Sequence, residues 1–138
     1  MKNRDLIGLL NQAIELEYQA FLQYYYQSLK LKGLETAPLR EMLATEADAE
    51  LGHAKALAER VAALGGEPSM KIAPVKLGKS PKEMIKNNLE REAKAIALYR
   101  KLVKVLHESQ ENELIYHLVL TILGDELKDV EEFEAFLG

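Results

Sequence analysis

ELEYQAFLQY at residues 15–24 reappears as EREAKAIALY at residues 90–99, with glutamate, glutamate, alanine and tyrosine at matching positions. Each copy is followed by a tetrad that begins with glutamate, ELGH at residues 50–53 and ELKD at residues 126–129. A pattern that recurs in the same order within one chain indicates two halves built alike. The repeat therefore predicts one centre with two similar half-sites, as expected for a centre that holds two metal ions.

Apolar residues recur at the spacing of an α-helix in four segments, and no segment alternates as a β-strand does. We predict an all-α protein with helices near residues 4–31, 37–64, 81–108 and 111–137. Two features mark the helix ends. Gly65 and Gly66 stop the second helix, and Ser80-Pro81-Lys82-Glu83 is a capping box that starts the third.

The segments between the predicted helices indicate the topology. Short connections join the first helix to the second and the third to the fourth, which suits antiparallel neighbours. The segment from Gly65 to Ser80 is longer and can extend to about 50 Å, whereas a helix of about 27 residues is about 40 Å long. We therefore predict a single four-helix-bundle domain over residues 1–138, with one long crossover between helices two and three.

Composition limits the classes of function. The 138 residues are 48% hydrophobic, enough for one core, and the net charge of −4 gives no electrostatic reason to expect a nucleic-acid partner. No apolar run approaches the length of about 20 residues that a membrane span needs, so we expect a cytoplasmic protein with no membrane partner. The chain has no cysteine, which excludes thiol nucleophiles and cysteine-bound metal. Site chemistry must therefore use oxygen and imidazole groups.

Polar residues interrupt the apolar stripe of each predicted helix. They are Glu17, Glu46, Glu50, His53, Glu92, Glu126 and Asp129. An uncompensated carboxylate in an apolar interior costs several kcal/mol, whereas a small domain has a net stability of only about 5–15 kcal/mol. No lysine or arginine lies on these stripes at the level of the acids, since Arg60 is more than one turn beyond His53. We therefore expect metal ions to neutralise the acids.

The spacing within each tetrad suits a dinuclear centre. Residues i and i+3 lie on the same face of a helix, so Glu50 can bridge two ions while His53 binds one of them. Glu126 and Asp129 repeat this arrangement for the other ion. Terminal carboxylates from the facing helices would come from Glu17 and Glu92. Oxygen ligands with one imidazole favour iron or manganese over calcium or magnesium.

Taken together, these features resemble the ferritin-like diiron-carboxylate superfamily, and the motifs of the first three helices are most similar to bacterioferritin. That family binds its metals through one Glu from each of two helices and a Glu-x-x-His motif from each of the other two. The resemblance implies a ferritin-like bundle with two iron ions, manganese being an alternative. It assigns the first ion to Glu17 and His53, the second to Glu92 and Asp129, and the bridges to Glu50 and Glu126.

Two positions depart from the bacterioferritin pattern. Asp129 stands where the family has its second histidine, so we expect the second ion to bind more weakly or in its oxidised form. Leu51 stands at the position of the haem-ligating methionine, so we expect no haem. By the same resemblance, Tyr24 is a catalytic residue that hydrogen-bonds a ligand or passes an electron. The alternative for Tyr24 and Tyr99 is a core tyrosine whose hydroxyl simply has a partner.

The function that the resemblance implies is a ferroxidase, an oxidoreductase that oxidises Fe(II) with O₂ or peroxide in iron storage or detoxification. Two alternatives stay open: a peroxide-scavenging enzyme of the rubrerythrin-like or manganese-catalase-like kind, and a non-catalytic metal-binding bundle. Residues 70–77, MKIAPVKL, are apolar for a loop. They either cover the bundle or pair with a second subunit, and we expect a homo-oligomer that is at least a dimer.

Overall fold

The computed structural model describes residues 2–109 and 112–138, which form four long helices and no β-strand. The helices are α1 (Asn3–Lys30), α2 (Ala37–Ala63), α3 (Pro81–Ser109) and α4 (Glu113–Leu137), with a short 3₁₀ turn at Leu34–Thr36 before α2. The all-α prediction is confirmed. The predicted start of the fourth helix at residue 111 lies outside the described residues, and the other predicted ends agree to within one residue.

Two core clusters at opposite ends of the bundle show how the helices run. One cluster joins the start of α1 to the ends of α2 and α3 and the start of α4, through Leu6, Val61, Leu106 and Ile115. The other joins the end of α1 to the starts of α2 and α3 and the end of α4, through Leu31, Leu39, Met84 and Phe133. Hence α1 and α3 are antiparallel, and α2 and α3 run the same way. Within residues 2–109 and 112–138, no helix is long and apolar enough to cross a membrane.

The crossover between α2 and α3 follows α1 along its length. It is bound by side chains spaced every four residues on α1, which places them on one helix face: Asn11, Glu15, Gln19, Gln23 and Gln27. Near its start, Asn11 Nδ2 donates to the carbonyl of Glu67 at 3.0 Å. Near its end, Gln27 Nε2 donates to the carbonyl of Leu77 at 2.8 Å. This ladder satisfies backbone groups of a segment that has no secondary structure of its own.

The apolar part of the crossover contacts α1 on one side and solvent on the other. The Ala73 amide donates to the carbonyl of Glu15 at 3.1 Å, so this part of the segment covers α1. Met70 and Ile72, in contrast, are 92% and 51% exposed. The crossover therefore covers the bundle and also presents apolar side chains to solvent.

The start of α3 is set by the predicted capping residues. Ser80 Oγ accepts the Glu83 amide at 3.1 Å, and a Glu83 carboxylate oxygen accepts the Lys79 amide at 3.2 Å. Gly78 precedes them with φ of +94°, and a Cβ there would lie 3.0 Å from the Met84 nitrogen, so this turn requires glycine. These contacts fix where α3 begins and thereby which residues it presents to the bundle centre.

Candidate metal centre

The six residues predicted as ligands lie together in the middle of the bundle. Each helix supplies at least one of them, the set being Glu17, Glu50, His53, Glu92, Glu126 and Asp129. The five carboxylates are at most 3% exposed, and His53 is half-buried. The helical repeat that places leucines in the two core clusters also places these polar residues between the clusters.

Two overlapping sets of possible ligand atoms occur, each with its atoms within 4.8 Å of one another. One set is Glu17, Glu50, His53 and Glu126, and the other is Glu50, Glu92, Glu126 and Asp129. Glu50 and Glu126 belong to both sets, as bridging residues must. One oxygen of each carboxylate of the second set is buried without a hydrogen-bond partner among the described residues. Unpartnered buried oxygens are costly, so these carboxylates fit bound cations.

The two ring nitrogens of His53 face different groups. Nδ1 lies 3.2 Å from Glu17 Oε2, 3.5 Å from Glu50 Oε1 and 3.7 Å from Glu126 Oε1. Nε2 lies 2.9 Å from Asp125 Oδ2. Metal-binding histidines commonly donate their second ring N–H to a carboxylate, and this geometry leaves Nδ1 to face the ligand set. We did not predict Asp125 from the sequence, where its only signal is its position beside Glu126.

The stripes hold no arginine at the level of the acids, but Arg91 beside the stripe of α3 supplies a cation that we did not predict. Arg91 is 3% exposed, and its guanidinium lies among four carboxylates. Nη1 lies 3.3 Å from Glu50 Oε2 and 3.1 Å from Glu126 Oε2 and also contacts Glu92 Oε1. Nη2 lies 3.5 Å from Glu17 Oε1. The apolar stripes alone did not indicate this cation. Arg91 lies beside the stripe, and its long side chain extends around α3 to the bundle centre.

Two buried tyrosines each donate a hydrogen bond to a carboxylate of the cluster. Tyr24 Oη on α1 donates to Glu92 Oε1 at 2.6 Å, and Tyr99 Oη on α3 donates to Glu17 Oε1 at 2.8 Å. Each tyrosine of one repeat therefore contacts the glutamate of the other repeat. Both hydroxyls have partners, and the catalytic role of Tyr24 stays a prediction.

Three carboxyl groups of the cluster have pKa values above the ordinary one. Burial raises the pKa of Glu17, Glu50 and Glu92 above the ordinary value of 4.5. Neighbouring carboxylates raise the pKa values of Glu17 and Glu50 further, whereas the positive charge of Arg91 opposes the shift at Glu92. Binding of cations here is therefore expected to depend on pH, because carboxylate ligands bind in their ionised form.

The second tetrad is electrostatically asymmetric. At Glu126, burial favours the protonated form, but the charge of Arg91 and the nearby His53 outweigh it and hold the pKa below its ordinary value. Burial and a hydrogen bond with Glu46 raise the pKa of Asp129 to about 11. Burial opposes the charged form of His53, yet its bonds to carboxylates raise the pKa to about 11. A charged Glu126 thus lies one helical turn from a neutral Asp129.

Asp129 also belongs to a group of acids nearer the protein surface. Ligand oxygens of Glu46, Asp129 and Glu132 lie within 4.8 Å of one another. Together with the exposed residues Asp125 and Lys128, they line a cavity of about 180 Å³ between α2 and α4. The cavity therefore places acidic groups between solvent and the second ligand set.

The fold and the arrangement of these side chains define a four-helix bundle with a carboxylate-rich centre. Residues 7–138 match the family model of the ferritin-like domain. The chain belongs to the ferritin-like family, which confirms the resemblance drawn from the two repeats and the two tetrads.

Two curated relatives are bacterioferritins. The chain is 31% identical over 108 residues to the bacterioferritin of Desulfovibrio desulfuricans, a match that covers 78% of this chain and 60% of that protein. It is 30% identical over 96 residues to the bacterioferritin of Rhodobacter capsulatus, covering 69% of this chain and 60% of that protein. The chain thus spans 60% of the length of these two relatives.

Two solved structures share the fold at full or nearly full length. A ferritin-like diiron-carboxylate protein from Bacillus anthracis is 27% identical, with a TM-score of 0.93 and coverage of 100% of both chains. The bacterioferritin of Desulfovibrio desulfuricans is 26% identical, with a TM-score of 0.88 and coverage of 97% of this chain and 78% of that chain. The X-ray structure of that bacterioferritin describes its diiron site in different catalytic states.

Proposed function

We propose that this protein binds two Fe(II) ions between its four helices and oxidises them with O₂ or peroxide. The observation that carries the proposal is that two sets of ligand atoms, each compact enough for one ion, share Glu50 and Glu126. Shared carboxylates hold two ions about 3.5–4 Å apart, the separation that two-metal sites use. The diiron centres of the structural relatives support iron as the metal.

The proposed roles follow from position. Glu17 and His53 bind the first ion, Glu92 and Asp129 bind the second, and Glu50 and Glu126 bridge the two. A cluster of five carboxylates favours the higher charge of Fe(III) over Fe(II), so it lowers the free energy of the oxidised product. Asp125 fixes the orientation of the His53 ring.

The electrons and protons balance with an oxidant that comes from solution. Two Fe(II) ions give up one electron each. One O₂ accepts these two electrons and two protons and becomes hydrogen peroxide, or one hydrogen peroxide accepts them and becomes two waters. The protons come from solution, because the carboxylates that hold the ions are already ionised.

A route for iron and a surface for assembly accompany the centre. The cavity lined by Glu46, Asp125 and Asp129 gives Fe(II) an acidic path from solvent. On another face, Phe21, Leu51 and Met70 help to line an apolar cavity of about 380 Å³. An apolar surface of this kind supports pairing of subunits in a homo-oligomer, and the bacterioferritin relatives support a role in iron storage or detoxification.

The test compares the wild type with Glu50→Ala, and Glu41→Ala is the matched control, because Glu41 is an exposed glutamate on the same helix. Each protein receives Fe(II) without oxygen, its metal content is measured, and air is then admitted while ultraviolet–visible difference spectra are recorded. We expect two irons per wild-type and control chain and rapid formation of an Fe(III) band. Glu50→Ala should lose the band and at least one iron.

Unchanged oxidation in Glu50→Ala would contradict the proposal. Rapid release of O₂ from peroxide by the manganese-loaded protein, with little Fe(II) oxidation, would identify a peroxide-scavenging enzyme instead. One ion or none in the wild type, with no consumption of oxygen, would identify a non-catalytic bundle.

A further inference from the structure

The two oxygens of each bridging carboxylate face different groups. Oε1 of Glu50 and Oε1 of Glu126 lie 3.5 and 3.7 Å from His53 Nδ1. Oε2 of Glu50 and Oε2 of Glu126 lie 3.3 and 3.1 Å from Arg91 Nη1. The same Nη1 contacts Oε1 of Glu92, which belongs to the second ligand set. His53 therefore lies on one side of the bridging pair, and the guanidinium of Arg91 lies on the side of Glu92.

We propose that the guanidinium of Arg91 stands in for the second ion. The ligand set that contains His53 then binds a divalent cation directly. The ligand set that contains Asp129 binds one only after Arg91 withdraws. This inference rests on the proposed metal centre. It makes Arg91 the residue that determines the order and the relative affinity with which the two positions fill.

Charge explains why the guanidinium and a second ion exclude each other. If an ion of the first set used the Oε1 atoms of Glu50 and Glu126, an ion of the second set would use their Oε2 atoms, and Arg91 contacts both of these. Two positive groups in contact with the same buried oxygens repel strongly, because the low-dielectric interior screens them little. Before the second ion binds, the same contacts make Arg91 the cation that stabilises the carboxylates in the folded protein.

Arg91 does not contact the oxygens that face the position of the first ion. Glu17 Oε2, Glu50 Oε1 and Glu126 Oε1 lie near His53 Nδ1, and Arg91 contacts the other oxygen of each of these three glutamates. A cation can therefore reach four ligand atoms on the His53 side without displacing the guanidinium. Filling of the two positions is consequently expected to be sequential.

The surroundings of Arg91 provide a place for it to move to. Arg91 lines a cavity of about 280 Å³ between α1, α3 and the crossover, whose walls also include Glu90 and Lys94. The exposed Glu90 offers a carboxylate there and already forms an ion pair with Lys76 at 3.6 Å. Arg91 Nε has no hydrogen-bond partner among the described residues, so the guanidinium is not held along its whole edge. Rotation of this long side chain exchanges buried carboxylates for an exposed one.

The test titrates metal-free wild type, Arg91→Met, Arg91→Lys and Arg100→Met with Co(II) under anaerobic conditions, by calorimetry and visible absorption. Arg100 is exposed on the same helix, so Arg100→Met removes the same charge away from the centre. We expect the wild type and Arg100→Met to bind the first Co(II) at least about tenfold more tightly than the second. Arg91→Met should bring the two dissociation constants within about threefold of each other.

A second readout does not depend on binding constants. The metal-free Arg91→Met protein should melt at a lower temperature than the wild type, because its buried carboxylates lose their cation. Saturating Co(II) should remove this difference in melting temperature. Arg91→Lys keeps the charge but lacks the planar guanidinium that contacts several carboxylates at once. Its dissociation constant for the second Co(II) should therefore lie between those of the wild type and Arg91→Met. This variant decides the question if Arg91→Met does not fold.

The outcomes separate this inference from the proposed function. Two equal dissociation constants in the wild type, or a second constant unchanged in both Arg91 variants, overturn the role of Arg91 even if the protein oxidises iron. Sequential binding that Arg91 substitution abolishes supports the role of Arg91 even if the protein does not oxidise iron. A wild type that binds no Co(II) overturns both.

Discussion

The hydroxyl of Tyr24 on α1 lies 2.6 Å from Oε1 of Glu92 on α3, to which it donates a hydrogen bond. Tyr99 on α3 donates in the same way to Glu17 on α1 at 2.8 Å. The two repeats thus exchange tyrosine–glutamate contacts across the bundle. This exchange explains why the tyrosine recurs at a constant distance from the glutamate in both copies, since each tyrosine orients the carboxylate of the other half.

Replacement of Tyr24 by phenylalanine removes one of these hydrogen bonds. Hydrogen bonds to charged groups contribute about 1.5–3 kcal/mol, so Tyr24→Phe should slow Fe(II) oxidation by about tenfold or more while the protein still folds. Stopped-flow absorbance after addition of oxygen measures the rate. Tyr99→Phe is the matched variant because it removes the equivalent bond to Glu17. If Tyr24 also passes an electron, Tyr24→Phe is the slower of the two, and equal rates would show that both tyrosines only orient carboxylates.

The contact between Asp125 and His53 predicts an effect on metal affinity. Asp125→Asn replaces the carboxylate that lies 2.9 Å from His53 Nε2, and loss of such a partner typically weakens metal binding by about 10–100-fold. We expect the first Co(II) to bind more weakly by that factor, as measured by competition with a chelator. Asp48→Asn, an exposed aspartate on α2, is the control and should bind as the wild type does. An unchanged affinity in Asp125→Asn would show that the contact does not support the ligand.

The protonation of Asp129 predicts how the stability of the metal-free protein depends on pH. The pKa of Asp129 rises from its ordinary value of 3.8 to about 11 on folding, chiefly through burial and the hydrogen bond with Glu46. The folded state therefore holds this proton more tightly, and the associated stability is complete below about pH 4 and is lost as the pH rises towards 11. We expect the melting temperature to fall between about pH 5 and about pH 9.

Asp129→Asn tests this assignment, because asparagine keeps the shape of the protonated group and does not ionise. Its melting temperature should fall less steeply than that of the wild type over the same pH range. Glu17, Glu50 and Glu92 contribute slopes of the same sign, so some dependence on pH remains. Parallel curves for the two proteins would refute the assignment to Asp129.

The hydrogen bonds between α1 and the crossover predict that replacement of one of the bonding side chains lowers the stability of the protein. Gln23 is 1% exposed; its Nε2 donates to Asn88 Oδ1 at 2.8 Å, and its Oε1 accepts the Lys76 amide at 3.0 Å. Gln23→Leu leaves both partners without this bond and should lower the free energy of unfolding by about 2–4 kcal/mol. Denaturant unfolding of the metal-free protein measures it. Gln12→Leu, at an exposed position on α1, should change it by less than about 0.5 kcal/mol.

The helices of the bundle and the crossover could be predicted from local sequence patterns. Helical periodicity depends on neighbouring residues along the chain, so the helix ends other than the start of α4 were predicted to within one residue. The length of the segment after Gly65 indicated a crossover because reach depends only on the number of residues. The hydrogen bonds that hold the crossover were not predicted, since they join residues far apart in the chain, such as Gln27 and Leu77.

The sequence by itself determined the helices, the two tetrads and the six polar residues that meet at the bundle centre, because the helical repeat dictates which side chains share a face. Only the tertiary structure decided how those acids are neutralised in the metal-free protein. Arg91 lies beside the stripe, and a long flexible side chain takes its final direction from the charges that the other three helices place around it. The tertiary structure also decided the role of Asp125, because Asp125 contacts His53 only when α2 and α4 pack together.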